Sequence, residues 1–440
     1  MQESLSLDIN RSRSTLLAVA PTLPRREALE QETADAEAAQ QRGYYLPDED
    51  ERLRHLFAQY LDVRNALKEV VARMEPWINL GDKLEREEQL KVFLLGFTSA
   101  CFLLRCAQYM VGIAEGKKVV TRKLNEAEPR FGIPRKAFTQ IYRSQSSVRR
   151  MFKFHEAWRS YDQHRDEIYA LKDEATFQEV IALLQQEEPF METRRRNYWK
   201  KRIRYRIHSF RRRNRSTYEQ SMFHLLEFGG RTVAELRDPT AGLKRQPKRA
   251  LEAYEETAAL LEPGDILITR HRDALSNLFL PGFWPHGALY VGAVGGDNGD
   301  VMEARKDGVL QRPLRETLSV DSFLVLRANV SKADKERVAK RSLSHKDKLF
   351  DFAFDFRQAD RLACTALIYR SWHNQAGVSF QLIEQSGRLC LPAEQLIDQA
   401  LESGIFSFAA YFGPSCDGLK TGMDALQSFK KDRADHATKT

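Results

Sequence analysis

The spacing of hydrophobic residues divides the chain into a helical first half and a mixed second half. Apolar side chains recur every three or four residues between 49 and 75, which predicts an amphipathic helix. Residues 86–114 form a more apolar helical stretch, and residues 135–190 continue the helical spacing with few helix-breaking residues. The pattern therefore predicts a helical domain over residues 46–240.

The apolar stretch 92–114 is long enough to raise the question of a membrane-spanning helix. Thr98, Arg105 and Gln108 interrupt it, so that no uncharged run reaches the length of about 18 residues that a span requires. We therefore expect a buried helix of a bundle. An interfacial helix and a true span are the alternatives.

Both ends of the chain lack a clear apolar stripe. Residues 1–45 are rich in Arg, Glu, Gln and Ala, and their acidic part, 27–41, has no hydrophobic face, so we expect this segment to be disordered. The polar residues 414–440 predict a flexible tail. Order is therefore expected to begin near residue 46 and to end near residue 413.

The second half has a different texture. Residues 236–250 contain two prolines, one glycine and many charges, which predicts a linker. Beyond the linker, short apolar runs bounded by turn residues alternate with helical spacing. The predicted strands are 265–269, 286–294, 300–305, 322–328 and 405–411, and the predicted helices are 332–346, 364–375 and 393–402. This mixture predicts an α+β domain over residues 250–413.

The net charge of +8 is concentrated in one predicted helix, residues 194–215, where aromatic side chains lie among many lysines and arginines. Such a helix is able to neutralise anionic lipid head groups or nucleic-acid phosphates. The plainer interpretation is a solvated helix that pairs with acidic neighbours. Nucleic acid is the less favoured partner because no zinc-finger, RRM or KH signature accompanies the segment.

The five cysteines are odd in number and irregularly spaced, which argues against a disulfide framework. No CxxC motif is present, so a structural zinc site is not expected. No cofactor is expected either. The apolar run 16–20 is too short for a secretory signal. We therefore expect a cytoplasmic protein, with peripheral association at the inner membrane face if residues 194–215 bind lipid.

Candidate chemistry lies in the second half. Cys364 opens a predicted helix, and a thiol becomes a good nucleophile when a helix N-terminus or a neighbouring base lowers its pKa. His286, at the start of a predicted strand, is the candidate base, and Glu303 on the next strand is the candidate that orients its imidazole. Asp355 is a second acidic candidate. The alternatives are a buried structural cysteine, an ordinary histidine and a solvent-facing glutamate.

Motifs of the second half follow one another in the order PGD, PGFWPHGALYVG, VMEA, DGV, FDFAFD and ACTALIYRSW. In this order, residues 255–412 resemble the circularly permuted papain-like (permuted NlpC/P60) amidases, most closely the YiiX/YaeF-like bacterial family. The resemblance implies a permuted papain-like domain in which Cys364 is the nucleophile, His286 the general base and Glu303 the third polar residue. Thr365 and Ala366 depart from the relatives, which often carry Cys-Ser-Glu-Leu at this point.

The resemblance implies a cysteine-dependent hydrolase or acyltransferase that acts on an amide or ester bond. Phe283 and Trp284 form an apolar lip before His286, and Tyr290 lies on the same predicted strand, so these three are the candidate substrate-binding residues. The lip and the basic segment together favour a lipid or lipid-modified substrate. One alternative is a non-enzymatic scaffold or nucleic-acid-binding protein that works through the helical region. A peptidoglycan amidase is another, although the missing secretory signal counts against it.

Overall fold

The computed structural model describes residues 2–23, 29–80, 83–145, 148–196, 249–270, 284–385 and 387–437. These residues form two compact units. The first comprises the described residues within 1–126 and 135–217, and the second comprises residues 127–134 with those described beyond 218. The predicted basic helix beyond residue 196 and the predicted linker up to residue 248 lie outside the described residues.

The first unit is built from helices, as its hydrophobic spacing predicts. They are α1 (Gln2–Val19), α2 (Glu30–Arg42), α3 (Pro47–Leu80), α4 (Arg86–Ala114), α5 (Lys118–Lys123), α6 (Ala137–Gln145), α7 (Val148–Gln163), α8 (Arg165–Ala170) and α9 (Gln178–Arg196). The two long helices α3 and α4 pack against each other, and the fully buried side chains of Leu67, Val70 and Leu95 belong to their core. Glu85 and Glu88 form a capping box that fixes the start of α4.

Among the described residues, α4 is the one helix that is long and apolar enough to cross a membrane. Length and composition alone are weak evidence for a span, because core helices meet the same criteria. Within this unit, 67% of its most apolar window is buried, and Arg105 forms an ion pair with Glu187 of α9. This burial agrees with the expected bundle helix.

The N-terminal segment differs from the expected disorder, because residues 2–19 and 30–42 are the helices α1 and α2. In α1, Leu5, Ile9 and Leu16 are buried on the face that packs against α3. A stripe of three large apolar residues is too sparse to stabilise an isolated helix. Packing against the longer helices supplies the missing free energy, and the local composition does not reveal that contact.

The second unit is organised around a seven-stranded sheet in the order β11-β10-β5-β1-β2-β3-β4, in which every neighbouring pair is antiparallel. Its strands are β1 (Ile266–Arg270), β2 (His286–Tyr290), β3 (Val301–Arg305), β4 (Gly308–Arg312), β5 (Ser322–Ala328), β10 (Phe406–Phe412) and β11 (Lys420–Thr421). Two short ladders accompany it, formed by β6 (Leu349–Phe350) with β7 (Arg361–Leu362) and by β8 (Ile383–Gln385) with β9 (Arg388–Cys390). The strand β4 is missing from the predicted set because Val309 and Leu310 are its only apolar side chains, between Gly308 and the polar Gln311 and Arg312.

Helices cover this sheet. They are α10 (Tyr254–Leu260), α11 (Leu314–Thr317), α12 (Lys332–Leu343), α13 (Cys364–Trp372), α14 (Ala393–Glu402) and α15 (Gly422–Ala437). Side chains alternate along β2, so that Leu289 contributes to the core shared with α13, whereas Ala288 contributes to the core on the opposite face. The packing of α13 against β2 and the interaction of Cys364 with His286 place the start of α13 beside the start of β2.

The C-terminal segment is also ordered, in contrast to the expected flexible tail. The helix α15 buries Ala425 and Phe429, and the Tyr411 hydroxyl donates a hydrogen bond of 2.8 Å to Asp432. Two apolar residues four positions apart are a weak sequence signal. They pack against β10, and the hydrophobic spacing of residues 414–440 does not predict this contact.

Candidate active site

The first part of the candidate site is the pair His286 and Glu303. Strand β2 begins at His286, and Ala288 pairs with Glu303 on β3, so that His286 and Glu303 lie diagonally on the same face of the sheet. The imidazole Nε2 is 2.7 Å from Oε1 of Glu303. The Glu303 side chain is only 1% exposed, whereas that of His286 is 27% exposed. One side of the imidazole is therefore held inside the protein and the ring remains accessible.

The second part is Cys364, the first residue of α13. Its Sγ is hydrogen-bonded to the imidazole of His286 and to the backbone N–H groups of Gly287 and Thr365. Since Nε2 of His286 is engaged by Glu303, the nitrogen left for the sulfur is Nδ1. Ala363 at the N-cap has no side-chain acceptor, so the first-turn N–H groups are not occupied by a capping side chain.

The electrostatic interactions among Glu303, His286 and Cys364 favour a charged pair, a thiolate beside an imidazolium. Burial by itself would raise the pKa of the Cys364 thiol, but His286 and the two N–H groups lower it below its ordinary value. Burial would likewise lower the pKa of His286, but the Cys364 sulfur and Glu303 raise it to about 10. The thiol and the imidazole thus shift in the directions that stabilise a thiolate beside an imidazolium.

Gly287 allows α13 to approach the strand. A Cβ at this position would lie 2.7 Å from Cδ1 of Ile368 on α13 and 3.2 Å from Cδ1 of Ile268 on β1. The β2–β3 ladder ends at Ala288 and Glu303, and the Gly287 N–H is directed to the Cys364 sulfur. The sequence analysis missed this role, although a glycine inside a strand often marks the close approach of another backbone or helix.

Glu303 has further partners on its second oxygen, which the sequence analysis also missed. Oε2 lies 2.8 Å from Nη2 of Arg305, 3.3 Å from the Thr317 hydroxyl and 3.5 Å from Nε of Arg312. These residues come from β3, α11 and β4. Only the antiparallel pairing of β3 with β4 brings the second arginine to Glu303, so the local sequence carries no signal for it.

Of the three candidate substrate-binding residues, the structure describes Trp284 and Tyr290, and it does not bring these two together. Phe283 lies outside the described residues. Trp284 is fully buried, and its ring packs against Tyr411 and Phe429 at centroid distances of 6.2 and 6.4 Å, so it belongs to the core instead of a substrate surface. Tyr290 stands at the other end of β2 from His286, where its N–H donates to the carbonyl of Asp265.

Asp355, the second acidic candidate, is not the group that orients His286. Its carboxylate is engaged by the guanidinium of Arg357, with Nε 2.7 Å from Oδ1. Its own N–H donates to the carboxylate of Asp351 at 2.7 Å. Asp355 therefore stabilises the loop that precedes α13, and the carboxylate beside the imidazole is that of Glu303.

The site combines a thiol at a helix start, an imidazole and a buried carboxylate, all positioned by one α+β domain. Sites of this kind occur in cysteine hydrolases. In agreement, residues 260–404 match the sequence model of the family described as permuted papain-like amidase enzyme, YaeF/YiiX, C92 family. The predicted class is confirmed: a helical N-terminal region precedes an α+β domain whose sequence matches the permuted papain-like family. The match covers about a third of the chain and includes neither the helical unit nor α15. No curated protein and no solved structure matched the chain.

Proposed function

We propose that the second unit is a thiol-dependent amidase or esterase in which Cys364 is the nucleophile, His286 the general acid and base, and Glu303 the group that orients His286. One observation carries the proposal: the imidazole is hydrogen-bonded to Glu303 through Nε2 and to the Cys364 sulfur on its other side. The opposite pKa shifts of the thiol and the imidazole support the same roles.

The reaction follows from these roles. The Cys364 thiolate attacks the carbonyl carbon of an amide or ester, and the carbonyl π electrons move to the oxygen. The His286 imidazolium then protonates the leaving amine or alkoxide as its bond to carbon breaks, which leaves a thioester on Cys364. Neutral His286 next removes a proton from water, or from an amine or alcohol acceptor, and attack on the thioester releases the product and restores the thiolate.

The negative oxygen of the tetrahedral intermediate requires fixed donors. The first turn of α13 presents backbone N–H groups that no N-cap side chain occupies. The helix dipole adds partial positive charge at the same point. We assign the oxyanion site to the N–H groups of this turn, beside the sulfur.

For the substrate we propose a lipid or lipid-modified acyl group. The support comes from the sequence: an apolar segment immediately precedes His286, and a basic aromatic segment follows α9. The full-length protein should bind vesicles that contain anionic lipid, and the binding should weaken as salt is added because surface charges are screened. Absence of binding at every salt concentration would contradict the membrane part of this proposal.

The catalytic part is tested by alkylation of Cys364 with iodoacetamide as a function of pH. Cys364 should react at a pH well below the ordinary thiol pKa of about 8.5, and His286→Ala should remove this advantage. At about pH 6 the expected loss in rate is roughly 100-fold, since few ordinary thiols are ionised there. Cys390, a half-buried thiol whose pKa is raised by burial and by Asp355, is the internal reference. If Cys364 reacts no faster than Cys390 in both proteins, the proposed function is wrong.

A further inference from the structure

The second oxygen of Glu303 lies in a polar cluster, which we call the Glu303 clamp and define as Arg305, Arg312 and Thr317. Arg305 Nη2 forms an ion pair with Oε2 at 2.8 Å, and the Thr317 hydroxyl donates a hydrogen bond to the same oxygen at 3.3 Å. Arg312 Nε lies 3.5 Å from the same oxygen, which makes an ion pair without a close hydrogen bond. All three groups contact Oε2, whereas His286 contacts Oε1.

The clamp answers a physical requirement of this site. The Glu303 side chain is 1% exposed, and burial of a carboxylate favours its neutral form. A neutral carboxyl group cannot stabilise an imidazolium, so the orienting role of Glu303 depends on its charge. Burial would raise the pKa of Glu303, but His286 and Arg305 lower it below its ordinary value.

The charges around the clamp also balance. Arg305 is paired with Glu316 at 2.6 Å, and Arg312 is paired with Asp307 at 2.6 Å and approaches Glu316 at 3.5 Å. With Glu303, this group of ion pairs contains three carboxylates and two guanidinium groups. It therefore carries one excess negative charge, which an imidazolium at His286 neutralises, and the Cys364 thiolate is a further negative charge on the other side of the imidazolium. The outer acids keep the two arginines from cancelling the charge that His286 experiences.

We infer that Arg305, Arg312 and Thr317 are positioning residues of the reaction, which hold Oε2 so that Oε1 stays directed at His286 and keep the Glu303 carboxylate ionised beside the imidazole. This inference rests on the proposed function. The charged and titratable groups that face Glu303 are His286 on β2, Arg305 on its own strand and Arg312 on β4, with Glu316 and Asp307 behind the two arginines. The clamp residues contact Oε2 of Glu303, so their effect on the sulfur is transmitted through Glu303 and His286.

The test is the pH profile of Cys364 alkylation in the full-length protein, with thermal unfolding measured in parallel. In Arg305→Met and Arg312→Met, the midpoint of the acid limb should move upward by up to about one pH unit, the limit set by complete loss of the Glu303 charge. That shift corresponds to roughly a tenfold slower reaction below the midpoint. Arg305→Lys keeps the charge and should retain most of the wild-type midpoint. A purely structural defect would lower the unfolding temperature without moving the midpoint.

Arg327→Met is the matched control. Arg327 forms a partly buried ion pair with Asp265 at 2.6 Å, at the end of β1 away from His286, and touches no part of the clamp. It should destabilise the protein to a similar extent and leave the midpoint unchanged. If Arg312→Met does not fold, Thr317→Val decides: a smaller upward shift supports the inference, and an unchanged midpoint overturns it.

The outcomes separate this inference from the proposed function. If wild-type Cys364 reacts no faster than an ordinary thiol, both are overturned. If the wild type shows the His286-dependent advantage but the arginine variants keep its midpoint, only the clamp is overturned. A downward shift would also overturn it, because it would show that the arginines act mainly by repelling the imidazolium.

Discussion

Two buried cysteines, one in each unit, have opposite pKa shifts. Burial, with a smaller contribution from Glu187, raises the pKa of Cys101 in the middle of α4 well above its ordinary value. Cys364 is also buried, yet its pKa is lowered because His286 and two backbone N–H groups outweigh burial. A helix interior has no unpaired N–H groups, whereas a first turn has several. Burial alone therefore does not decide whether a thiol is reactive; its position in the helix and its neighbours do.

The same contrast holds for two buried glutamates. Burial raises the pKa of Glu187 on α9 although Arg105 opposes the shift. Glu303 is at least as buried, but His286 on one oxygen and Arg305 on the other lower its pKa. One cationic partner is insufficient in the first case, and several are sufficient in the second. The number of cationic partners therefore decides in which direction the pKa of a buried carboxylate shifts.

The largest expected effect on the rate of acyl transfer comes from replacing a cysteine by serine. Cys364→Ser should reduce acyl transfer by roughly 10⁴-fold or more, since removal of a nucleophile abolishes the covalent step. Cys101→Ser should leave the rate unchanged, because that thiol is held neutral inside α4. The measurement is turnover of a p-nitrophenyl ester by each variant. Equal losses of turnover in the two variants would show that Cys364 is no more important for the reaction than Cys101.

The pH dependence of acyl transfer should follow the His286 proton on the alkaline side. The pKa of His286 is raised to about 10, so the imidazolium persists below this pH and is lost as the pH rises through it. Above that point acyl transfer from an amide substrate should fall about tenfold per pH unit, because the amine leaving group loses its proton donor. Alkylation needs only the thiolate and should stay constant. Parallel profiles for the two reactions would argue against His286 as the acid.

Replacing a glutamate by glutamine should have a smaller effect, on the pH at which Cys364 becomes reactive. Glu303→Gln removes the charge next to His286, so the alkylation midpoint of Cys364 should move upward by about one pH unit, a roughly tenfold slower reaction at lower pH. Glu187→Gln should leave that midpoint unchanged, since Glu187 belongs to the ion pair with Arg105 in the helical unit. A midpoint that is indifferent to Glu303→Gln would show that this carboxylate does not tune the pair.

The smallest effect is expected when a glycine is replaced by alanine, and it should differ between Gly287 and Gly96. Gly287→Ala should destabilise the protein by about 1–3 kcal/mol and slow alkylation of Cys364, because its Cβ would collide with Cδ1 of Ile368 at 2.7 Å. Adding Ile368→Val, which removes the colliding Cδ1 atom, should restore part of the stability and part of the alkylation rate. Gly96→Ala in α4 meets only ordinary contacts of 3.5 and 3.6 Å and should be neutral or stabilising by about 0.5–1 kcal/mol. Denaturant unfolding together with the alkylation rate distinguishes the two positions.

Sequence patterns predicted the elements whose information is local. The helix Arg86–Ala114 and the strand Ser322–Ala328 have the predicted bounds, and the strand that begins at His286 and the helix that begins at Cys364 start where the spacing indicates. In each case the periodicity of apolar residues is long or continuous enough to identify the element without its neighbours. The α+β class of the second unit follows from the same patterns.

Segments with a sparse apolar stripe could not be predicted. The helices α1 and α15 depend on contacts of Leu16 and Phe429 with residues far away in the chain. Trp284 was expected at a substrate surface, but Tyr411 and Phe429 enclose it in the core. An exposed aromatic lip and a buried aromatic anchor have the same local sequence, and only the packing distinguishes them.

The sequence by itself determined the residue types of the candidate site and the elements that carry them, because an amphipathic period and a helix start are local properties. Only the tertiary structure decided the geometry: Oε1 of Glu303 beside His286, Oε2 inside the Glu303 clamp, and Gly287 under the helix of Cys364. The physical reason is that strand register and burial bring together groups from β2, β3, β4 and α13. The charge state of each group is set by those neighbours and not by its position in the sequence.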